Sequence, residues 1–307
     1  PQSRTGSGVG RTTSTGRTLS QARKEMQRES RNMEKAKSNA AAPGRLTPKQ
    51  RINHIVRWLK GYARSAKIDT FVVGISGGID SSVVSALCAK TGLNTIVVQM
   101  PIRQAKTLDN RSSMQATWLL ERYANVKHIS VNLTKIFDAF EKSTAPLCVD
   151  DDEVNAGPVE LAYANSRARL RMMTLYQIAQ CHNGLVVGTG NKVEDFGVGF
   201  FTKYGDGGVD ISPIADLLKT EVWQIGRELG VDQRIIDAAP TDGLWEDGRV
   251  DQDQLGGLSY AELEVAMAHD ETNTVPSTDA EAMALYQYRK IRARNLHKMN
   301  PIPVFKK

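Results

Sequence analysis

The residues best suited to chemistry form a short run of glycines and hydroxyl side chains, residues 76–82, which reads Ser-Gly-Gly-Ile-Asp-Ser-Ser. The run directly follows the apolar residues 71–75, so the pattern predicts a buried strand, a tight turn and then a helix. Adjacent glycines let backbone N–H groups approach an anion closely, and the N-terminus of the next helix favours negative charge. The serine hydroxyls add further donors. We therefore interpret the run as a loop that binds pyrophosphate.

A carboxylate, Asp80, stands inside this loop, where it would repel a phosphate unless a cation lay between them. Mg²⁺ is commonly held by one or two carboxylates together with substrate oxygens, so Asp80 is a candidate ligand of Mg²⁺. The alternative is a plain strand-to-helix turn in which Asp80 is the helix N-cap. The loop lacks the Gly-Lys-Ser/Thr of a Walker A motif, which argues against a GTPase or a kinase.

A second polar segment, residues 200–210, is too rich in glycine and charge to belong to a core. Lys203, Asp206 and Asp210 place both signs of charge in this segment, and the glycines around Asp206 permit unusual backbone angles. Binding residues are concentrated in loops of this kind. The segment is predicted to contact a substrate, and the alternative is a long surface connection with turn glycines.

Apolar runs alternate with amphipathic helical patterns along the chain after a helix-start signal at Thr47, Pro48 and Gln50. This alternation predicts an α/β fold, a doubly wound and mostly parallel sheet with helices on both faces. Ligands of such sheets bind beyond the carboxyl ends of the strands. The predicted strands are 70–75, 95–99, 126–131 and 185–187, and the predicted helices include 110–123, 133–140 and 159–180.

Charge is distributed unevenly along the 307 residues. Residues 1–46 contain ten Lys/Arg and three Glu, a net charge of +7, whereas the remaining residues have a net charge of −1. The basic segment is poor in large apolar residues, which predicts a disordered extension. A transit segment is the alternative, because aspartate is absent there. The predicted organisation is thus an extension over 1–46 and one domain over 47–307.

The composition also predicts the compartment. No apolar stretch reaches the length of a membrane helix, so no membrane segment is expected. Cys88, Cys148 and Cys181 are widely spaced and odd in number, which indicates buried free thiols in a reducing compartment. The predicted location is the cytoplasm, or an organelle if residues 1–46 are a transit segment.

Five motifs occur in the order found in the NAD synthetases, which the chain resembles over roughly residues 48–300. They are the loop 76–82, Asn-Ser-Arg-Ala-Arg at 165–169, Gly-Thr at 188–189, the segment 200–210 and Pro-Thr at 240–241. The first loop is shared by the wider group of adenylating enzymes with a pyrophosphatase-type loop, whereas Phe-Phe-Thr-Lys-Tyr-Gly-Asp-Gly-Gly is more selective. The resemblance implies an adenine nucleotide alpha-hydrolase-like fold and an ATP-dependent ligase. ATP would adenylate the nicotinate carboxylate of deamido-NAD, and ammonia would then displace AMP.

The resemblance also implies roles for individual residues. The Mg²⁺ ligands would be Asp80 and Glu194, and the catalytic set would be Asp80, Lys203 and Asp206, of which Asp206 would position or deprotonate ammonia. The ATP-binding residues would be Gly74, Ser76, Gly77, Gly78, Asp80, Ser81, Ser82, Thr189, Lys219 and Thr241. The deamido-NAD-binding residues would be Asn165, Arg167, Lys203, Asp206, Asp210, His297 and Lys298.

The sequence departs from the family pattern at two places. The stretch from Gly188 to Phe200 is longer by a single residue, which leaves open whether Glu194 or its neighbour Asp195 is the metal ligand. Gln99 stands before Met100 and Pro101, where many members have an arginine before the proline, so contacts to adenine are expected to differ there.

The resemblance further implies a homodimer that uses ATP, deamido-NAD and ammonia. Only 75 residues precede Ser76 in this sequence, so we do not expect an N-terminal amidase domain with a catalytic cysteine, and we expect free ammonia, or ammonia from a separate protein, as the nitrogen donor. Two other classes stay open. A tRNA-modifying adenylase would use the basic segment. The sequence shows no recognisable tRNA-binding domain, however, so nucleic acid is not expected as a partner. The other is a non-enzymatic nucleotide-binding module.

Overall fold

A computed structural model describes residues 46–103, 106–147, 156–241, 244 and 251–306. The predicted extension as far as residue 45 lies outside these residues, as does Cys148. Within the described ranges, no helix combines the length and the apolar character that a membrane span needs. Cys88 is buried as predicted, but the prediction is wrong for Cys181, which is exposed as the last residue of a helix.

The centre of the fold is a parallel sheet of four strands in the order β3-β2-β1-β4. Val72 of β1 pairs with Ile96 of β2 on one side and with Val186 of β4 on the other. An isolated bridge between Val187 and Ile211 continues the sheet beyond β4. The strands are β1 (Thr70–Gly74), β2 (Asn94–Gln99), β3 (Val126–Ser130) and β4 (Gly184–Val186). The predicted parallel sheet is confirmed.

Helices follow the strands and then continue beyond the last one. The α-helices of the described residues are α1 (Pro48–Ala66), α2 (Ile79–Lys90), α3 (Lys106–Arg122), α4 (Thr134–Thr144), α5 (Ala156–Cys181), α6 (Lys219–Leu229), α7 (Gln233–Ile236), α8 (Asp251–Gln254), α9 (Tyr260–Thr272) and α10 (Asp279–Met299). A 3₁₀ turn covers Ala145–Leu147, and a π-helix covers Lys192–Val198. The first helix begins at Pro48, as its start signal predicts.

Both faces of the sheet are covered, because alternate side chains of a strand point to opposite sides. Phe71 and Val73 of β1 belong to an apolar cluster with α1, α2 and α6. Val72, between them, belongs to a second cluster that includes Phe137 of α4 and Ala179 of α5. Helices on both faces confirm the doubly wound class predicted from the sequence.

The strand order reverses between β1 and β4, which creates a crevice at their carboxyl ends. Sheets of this class bind ligands at such a switch point. The strand β1 leads into the loop 76–82, and β4 leads into Gly188 and Thr189. A separate apolar cluster packs the π-helix against α9 and α10. The topology therefore brings the loop 76–82 and the residues Gly188 and Thr189 to the same edge of the sheet.

Candidate active site

The conformation of the loop 76–82 is stabilised by hydrogen bonds among its own serines. Ser81 Oγ lies 3.0 Å from Ser76 Oγ and 3.2 Å from the backbone N–H of Ser76, which donates to it. Gly77 has a φ of +84°, a conformation that glycine adopts without strain. Gly78 is the N-cap of α2, and no side chain caps this N-terminus. The loop lines the cavity at this place, and the N-terminus of α2 is left without a side-chain cap, which suits an anion.

The charged centre beside this loop is a buried lysine with two carboxylates. Lys219 Nζ lies 2.6 Å from Asp80 Oδ2 and 2.8 Å from Glu194 Oε1. Its side chain is only 2% exposed, and those of Asp80 and Glu194 are 18% and 13% exposed. The three residues come from α2, the π-helix and the first position of α6. Because these three elements are distant in sequence, the tertiary fold is what brings Lys219, Asp80 and Glu194 together.

Two further side chains fix the carboxylates. Asn191 is fully buried, and its side chain accepts hydrogen bonds from the backbone N–H groups of Val193 and Glu194 and donates to Asp80 at 3.2 Å. Tyr260 donates to Glu194 Oε1 and lies 3.1 Å from Asp251 Oδ2. Asn191 therefore ties the π-helix to the phosphate loop.

Burial and charge shift the acidities of this group in different directions. Burial raises the pKa of Asp80 above its ordinary value despite the opposing charge of Lys219. Burial also acts to raise the pKa of Glu194, but Lys219 and the hydrogen bonds to the carboxylate together lower it. Burial and the charges of Asp206, Glu194 and Asp80 raise the pKa of Asp195 well above its usual range. The carboxyl groups of Asp80, Glu194, Asp195 and Asp206 thus outnumber the buried Lys219 in this site.

This excess of carboxylates suits a divalent cation. Asp80 and Glu194 provide hard oxygen donors next to the phosphate loop, and Mg²⁺ is usually held by one or two carboxylates plus phosphate oxygens. In the described part of the chain, no group of three or more His, Cys, Asp or Glu forms a metal site by itself. The residues present therefore fit a cation that arrives together with ATP phosphates.

The stretch between Gly188 and Phe200 contains the π-helix Lys192–Val198. A π-helix bonds residues five apart, so each turn holds one residue more than an α-helix. The backbone N–H of Gly199 donates to the carbonyl of Glu194 at the end of the turn. Glu194 then points to Lys219, whereas Asp195 lies against Gly190, where an added Cβ would be 1.8 Å from its Oδ2. The geometry therefore favours Glu194 as the partner of Asp80.

The segment 200–210 is held by side chains on its own residues and on α5. The backbone N–H of Thr202 donates to Asp206 Oδ1 at 2.9 Å, and Thr202 Oγ1 lies 2.6 Å from Asn165 Oδ1. Lys203 Nζ donates to the carbonyl of His297 at 3.1 Å. A Cβ on Gly207 would be 2.3 Å from the ring of Phe201, so a larger residue here would force the ring or the backbone to shift.

Two adjoining cavities of about 240 Å³ each lie at the switch point. The first is lined by nearly all the residues predicted to bind ATP and metal, namely Gly74, Ser76, Gly77, Gly78, Asp80, Ser81, Thr189, Glu194, Lys219 and Thr241. Asp206 lines both cavities, and Lys203 and Lys298 line the second. The structure thus brings most of the predicted residues together, and their individual roles stay predictions.

Five predicted binding residues line neither cavity. Ser82 is buried and donates to the carbonyl of Gly78 at 2.8 Å, and His297 is exposed near the end of α10. Asp210 accepts hydrogen bonds from the backbone N–H of Val186 and from the hydroxyl of Tyr176.

The other two lie on α5. Arg167 donates to the carbonyl of Leu244 and lies over the ring of Phe137, and Asn165 bonds Thr202. These residues support the walls of the site in the present arrangement.

Sequence reasoning missed Arg111, Arg171, Asn191 and Tyr260. Arg111 lines the first cavity, and its Nε is buried without a hydrogen-bond partner among the described residues. Arg171 also lines it, one helical turn beyond Arg167. The spacing of the two arginines on a helix was a signal, because residues four apart share a face. No local pattern marks Arg111 or Tyr260, whose neighbours in space are distant in sequence.

A family model described as NAD synthase matches residues 51–302. An NH₃-dependent NAD⁺ synthetase of Carboxydothermus hydrogenoformans is 37% identical over 221 residues, which cover 72% of this chain and 85% of the relative. The corresponding synthetase of Alkaliphilus metalliredigens is 36% identical over 256 residues, which cover 82% of this chain and 97% of the relative.

Two solved structures are also similar. One is described as NMN synthetase from Francisella tularensis, with a TM-score of 0.73, 31% identity and coverage of 86% of this chain and all of that one. An NH₃-dependent NAD synthetase from Campylobacter jejuni has a TM-score of 0.65 at 22% identity, over 85% of this chain and all of that one, which is a likeness of fold alone. From the family match and these relatives, the chain belongs to the NAD synthase family.

Proposed function

We propose that the protein is an ammonia-dependent NAD⁺ synthetase, a ligase that uses ATP to convert the nicotinate carboxylate of deamido-NAD into an amide. The observation that carries the proposal is the group Lys219, Asp80 and Glu194 beside the phosphate loop at the switch point. Two relatives described as NH₃-dependent NAD⁺ synthetases support the same reaction. AMP and pyrophosphate are the expected by-products.

In the first step, a carboxylate oxygen of deamido-NAD attacks the α-phosphorus of ATP. The bond from that phosphorus to the bridging oxygen breaks, and pyrophosphate leaves with the electron pair. Backbone N–H groups of the loop 76–82 and the hydroxyls of Ser76 and Ser81 would hold the phosphates in line. Mg²⁺ bound by Asp80 and Glu194 would supply charge neutralisation for the pyrophosphate. Lys219 would contribute positive charge at the same place.

In the second step, ammonia attacks the acyl carbon of the adenylate, the bond from that carbon to the AMP oxygen breaks, and AMP leaves with the electron pair. Asp206 would accept a proton from the nitrogen, because its carboxylate lines both cavities and is fixed by the N–H of Thr202. Lys203 would leave the carbonyl of His297 to contact the nicotinate side of the substrate. These roles follow from position and chemistry.

The direct test is a steady-state assay of NAD⁺ formation with ATP, Mg²⁺ and deamido-NAD. Ammonium is expected to support turnover, and glutamine alone is not. Pyrophosphate release should require deamido-NAD. Tight and salt-sensitive binding of tRNA would contradict the proposal and favour a tRNA-modifying adenylase, whereas ATP binding with no release of pyrophosphate would favour a non-enzymatic nucleotide-binding module.

A second candidate substrate is nicotinate mononucleotide, which lacks the adenylate half of deamido-NAD. The similarity to the Francisella tularensis structure described as NMN synthetase favours it. The chemistry at the carboxylate is the same for both substrates. Comparing kcat/KM for deamido-NAD and for nicotinate mononucleotide decides between them, and a tenfold preference corresponds to about 1.4 kcal/mol of transition-state binding.

The homodimer and the cytoplasmic location are further parts of the proposal. Ile136 and Phe140 of α4 are 54% and 45% exposed, and Leu147 in the following turn is 82% exposed. Exposed large apolar side chains on neighbouring turns are typical of subunit interfaces. Light scattering of the purified protein should give twice the chain mass, and Phe140→Glu should reduce it to the monomer mass.

A further inference from the structure

The carbonyl end of the π-helix is held by side chains of α10. Arg292 Nη1 donates to the carbonyl oxygens of Phe196, at 2.7 Å, and of Gly197. Asn295 Nδ2 donates to the carbonyl oxygen of Val198 at 2.9 Å. The last carbonyl groups of a helix have no partner within the helix itself. Arg292 and Asn295, called the capping pair below, therefore complete the π-helix from a separate element.

The contact between the two elements is close along one face of α10. A Cβ on Gly199, which has a φ of +68°, would be 2.7 Å from Asn295 Cβ and 3.3 Å from Met299 Cε. A Cβ on Gly197 would be 3.6 Å from the ring of Tyr288, which is buried. Tyr288, Arg292, Asn295 and Met299 are spaced three or four residues apart, so they share one helix face.

The turn that the capping pair holds carries the carboxylates of the site. Glu194 bonds Lys219, and Asp195 lines both cavities. The π-helix is a rare conformation that occurs mostly as single turns, frequently at functional sites, so we expect it to need support from the surrounding fold. Arg292 and Asn295 line neither cavity.

We propose that the capping pair are positioning residues, which keep the π-helical turn wound and thereby hold Glu194 beside Asp80 for metal-bound ATP. This inference rests on the proposed function for the identity of the ligand. Removing the pair leaves the carbonyl groups of Phe196, Gly197 and Val198 without these donors, and the turn then relaxes away from the geometry that points Glu194 at the site. The pair acts on the reaction through the turn alone.

The test uses the full chain and the variants Arg292→Met and Asn295→Ala. Arg294→Met is the matched control, because Arg294 is the same residue type on the same helix and is exposed. Arg292→Lys is the conservative variant, since an ammonium can still donate to carbonyl oxygens. Mn²⁺ bound to the protein in the presence of ATP is measured by equilibrium dialysis, because ATP alone chelates Mn²⁺ and an equal ATP concentration on both sides cancels this contribution. The temperature of unfolding and kcat are measured alongside.

Arg292→Met is expected to weaken Mn²⁺ binding about 10- to 100-fold, the usual effect of losing an outer partner of a metal site. Arg292→Lys should recover most of the affinity, and Arg294→Met should match the wild type. Asn295→Ala removes one hydrogen bond and should shift affinity in the same direction by less, which keeps the inference testable if Arg292→Met does not fold.

Wild-type Mn²⁺ affinity in Arg292→Met, with only a lower unfolding temperature, would overturn the inference, as would an equal loss in Arg294→Met. A wild-type protein that binds Mn²⁺ with ATP but forms no amide would instead contradict the proposed function and leave the positioning role in place.

Discussion

At the scale of single residues, Lys219 is unusual both in its burial and in its position at the start of a helix. A lysine is rarely buried this fully unless it is paired, and a cation at the first position of a helix opposes the helix dipole. Asp80 and Glu194 offset both costs, and they raise the pKa of Lys219 against the lowering effect of burial, so it stays charged. A residue that is unfavourable in its local position and is stabilised by residues distant in sequence is typical of a functional site.

Lys219→Met is expected to abolish measurable turnover and to lower the free energy of unfolding by about 3–5 kcal/mol, because it leaves two carboxylates in a poorly solvated site without their cation. Urea denaturation and the NAD⁺ assay measure the two effects. Lys192→Met is the control, since Lys192 pairs with Glu271 at the surface and should cost less than about 1 kcal/mol. Equal destabilisation by both variants would contradict the central role of Lys219.

Asp206→Asn is expected to slow amide formation by about 10²–10⁴-fold, the usual contribution of a general base, while ATP affinity stays near that of the wild type. Rapid-quench measurements of the adenylate and of NAD⁺ separate the two steps. The reason is positional, because Asp206 lies where the cavities meet and not among the residues of the phosphate loop. Parallel loss of adenylate formation and ammonia transfer would refute this role.

At the scale of elements, the site depends on three that meet at one crevice. The loop after β1 and the start of α2 supply Asp80 and hydrogen-bond donors for phosphate, the π-helix after β4 supplies Glu194, and α6 supplies Lys219. The segment 200–210 then packs so tightly that its glycines leave no room for side chains at several positions. Small changes in these elements should therefore affect activity more than stability.

Gly207→Ala is expected to reduce kcat at least tenfold, because the added Cβ would be 2.3 Å from the ring of Phe201 and the substrate loop must shift. Gly61→Ala is its matched control. Gly61 lies inside α1 with nothing within 4 Å of an added Cβ, so this change should stabilise the protein by up to about 1 kcal/mol and leave kcat unchanged. Unchanged kcat in Gly207→Ala would show that the loop tolerates displacement.

At the scale of the whole molecule, much of the sheet follows from the sequence. The apolar runs of β1 to β4 and the start of α1 at Pro48 were all marked by local patterns, and the predicted bounds differ from the observed ones mostly by one or two residues. Longer errors occur at α3 and α4, which extend to Lys106 and Thr144, because polar ends of helices carry little apolar periodicity.

Other features could not be predicted from local patterns. The pairing of Lys219 with two carboxylates and the capping of the π-helix by α10 join residues far apart in sequence. The helices α9 and α10 were not predicted, although Ser259 and Glu262 form a capping box that marks the start of α9. No local sequence pattern marks the π-helix.

Binding of ATP with Mg²⁺ is expected to stabilise the whole protein. At a ligand concentration one hundred times the dissociation constant, the free energy of unfolding should rise by about 2.7 kcal/mol, measured by urea denaturation with and without ligand. Chelation of Mg²⁺ by excess EDTA should remove most of this gain, because Asp80 and Glu194 then face phosphates without a cation. Full stabilisation by ATP in EDTA would contradict a metal at this place.

The most direct measurement of the central claim follows an oxygen atom. Deamido-NAD with ¹⁸O in its nicotinate carboxylate is converted with ATP, Mg²⁺ and ammonium, and the products are analysed by mass spectrometry. If the carboxylate attacks the α-phosphorus, one ¹⁸O appears in AMP and the amide retains the other. Transfer of ¹⁸O to pyrophosphate or inorganic phosphate, or AMP without label, would contradict adenylation at this site.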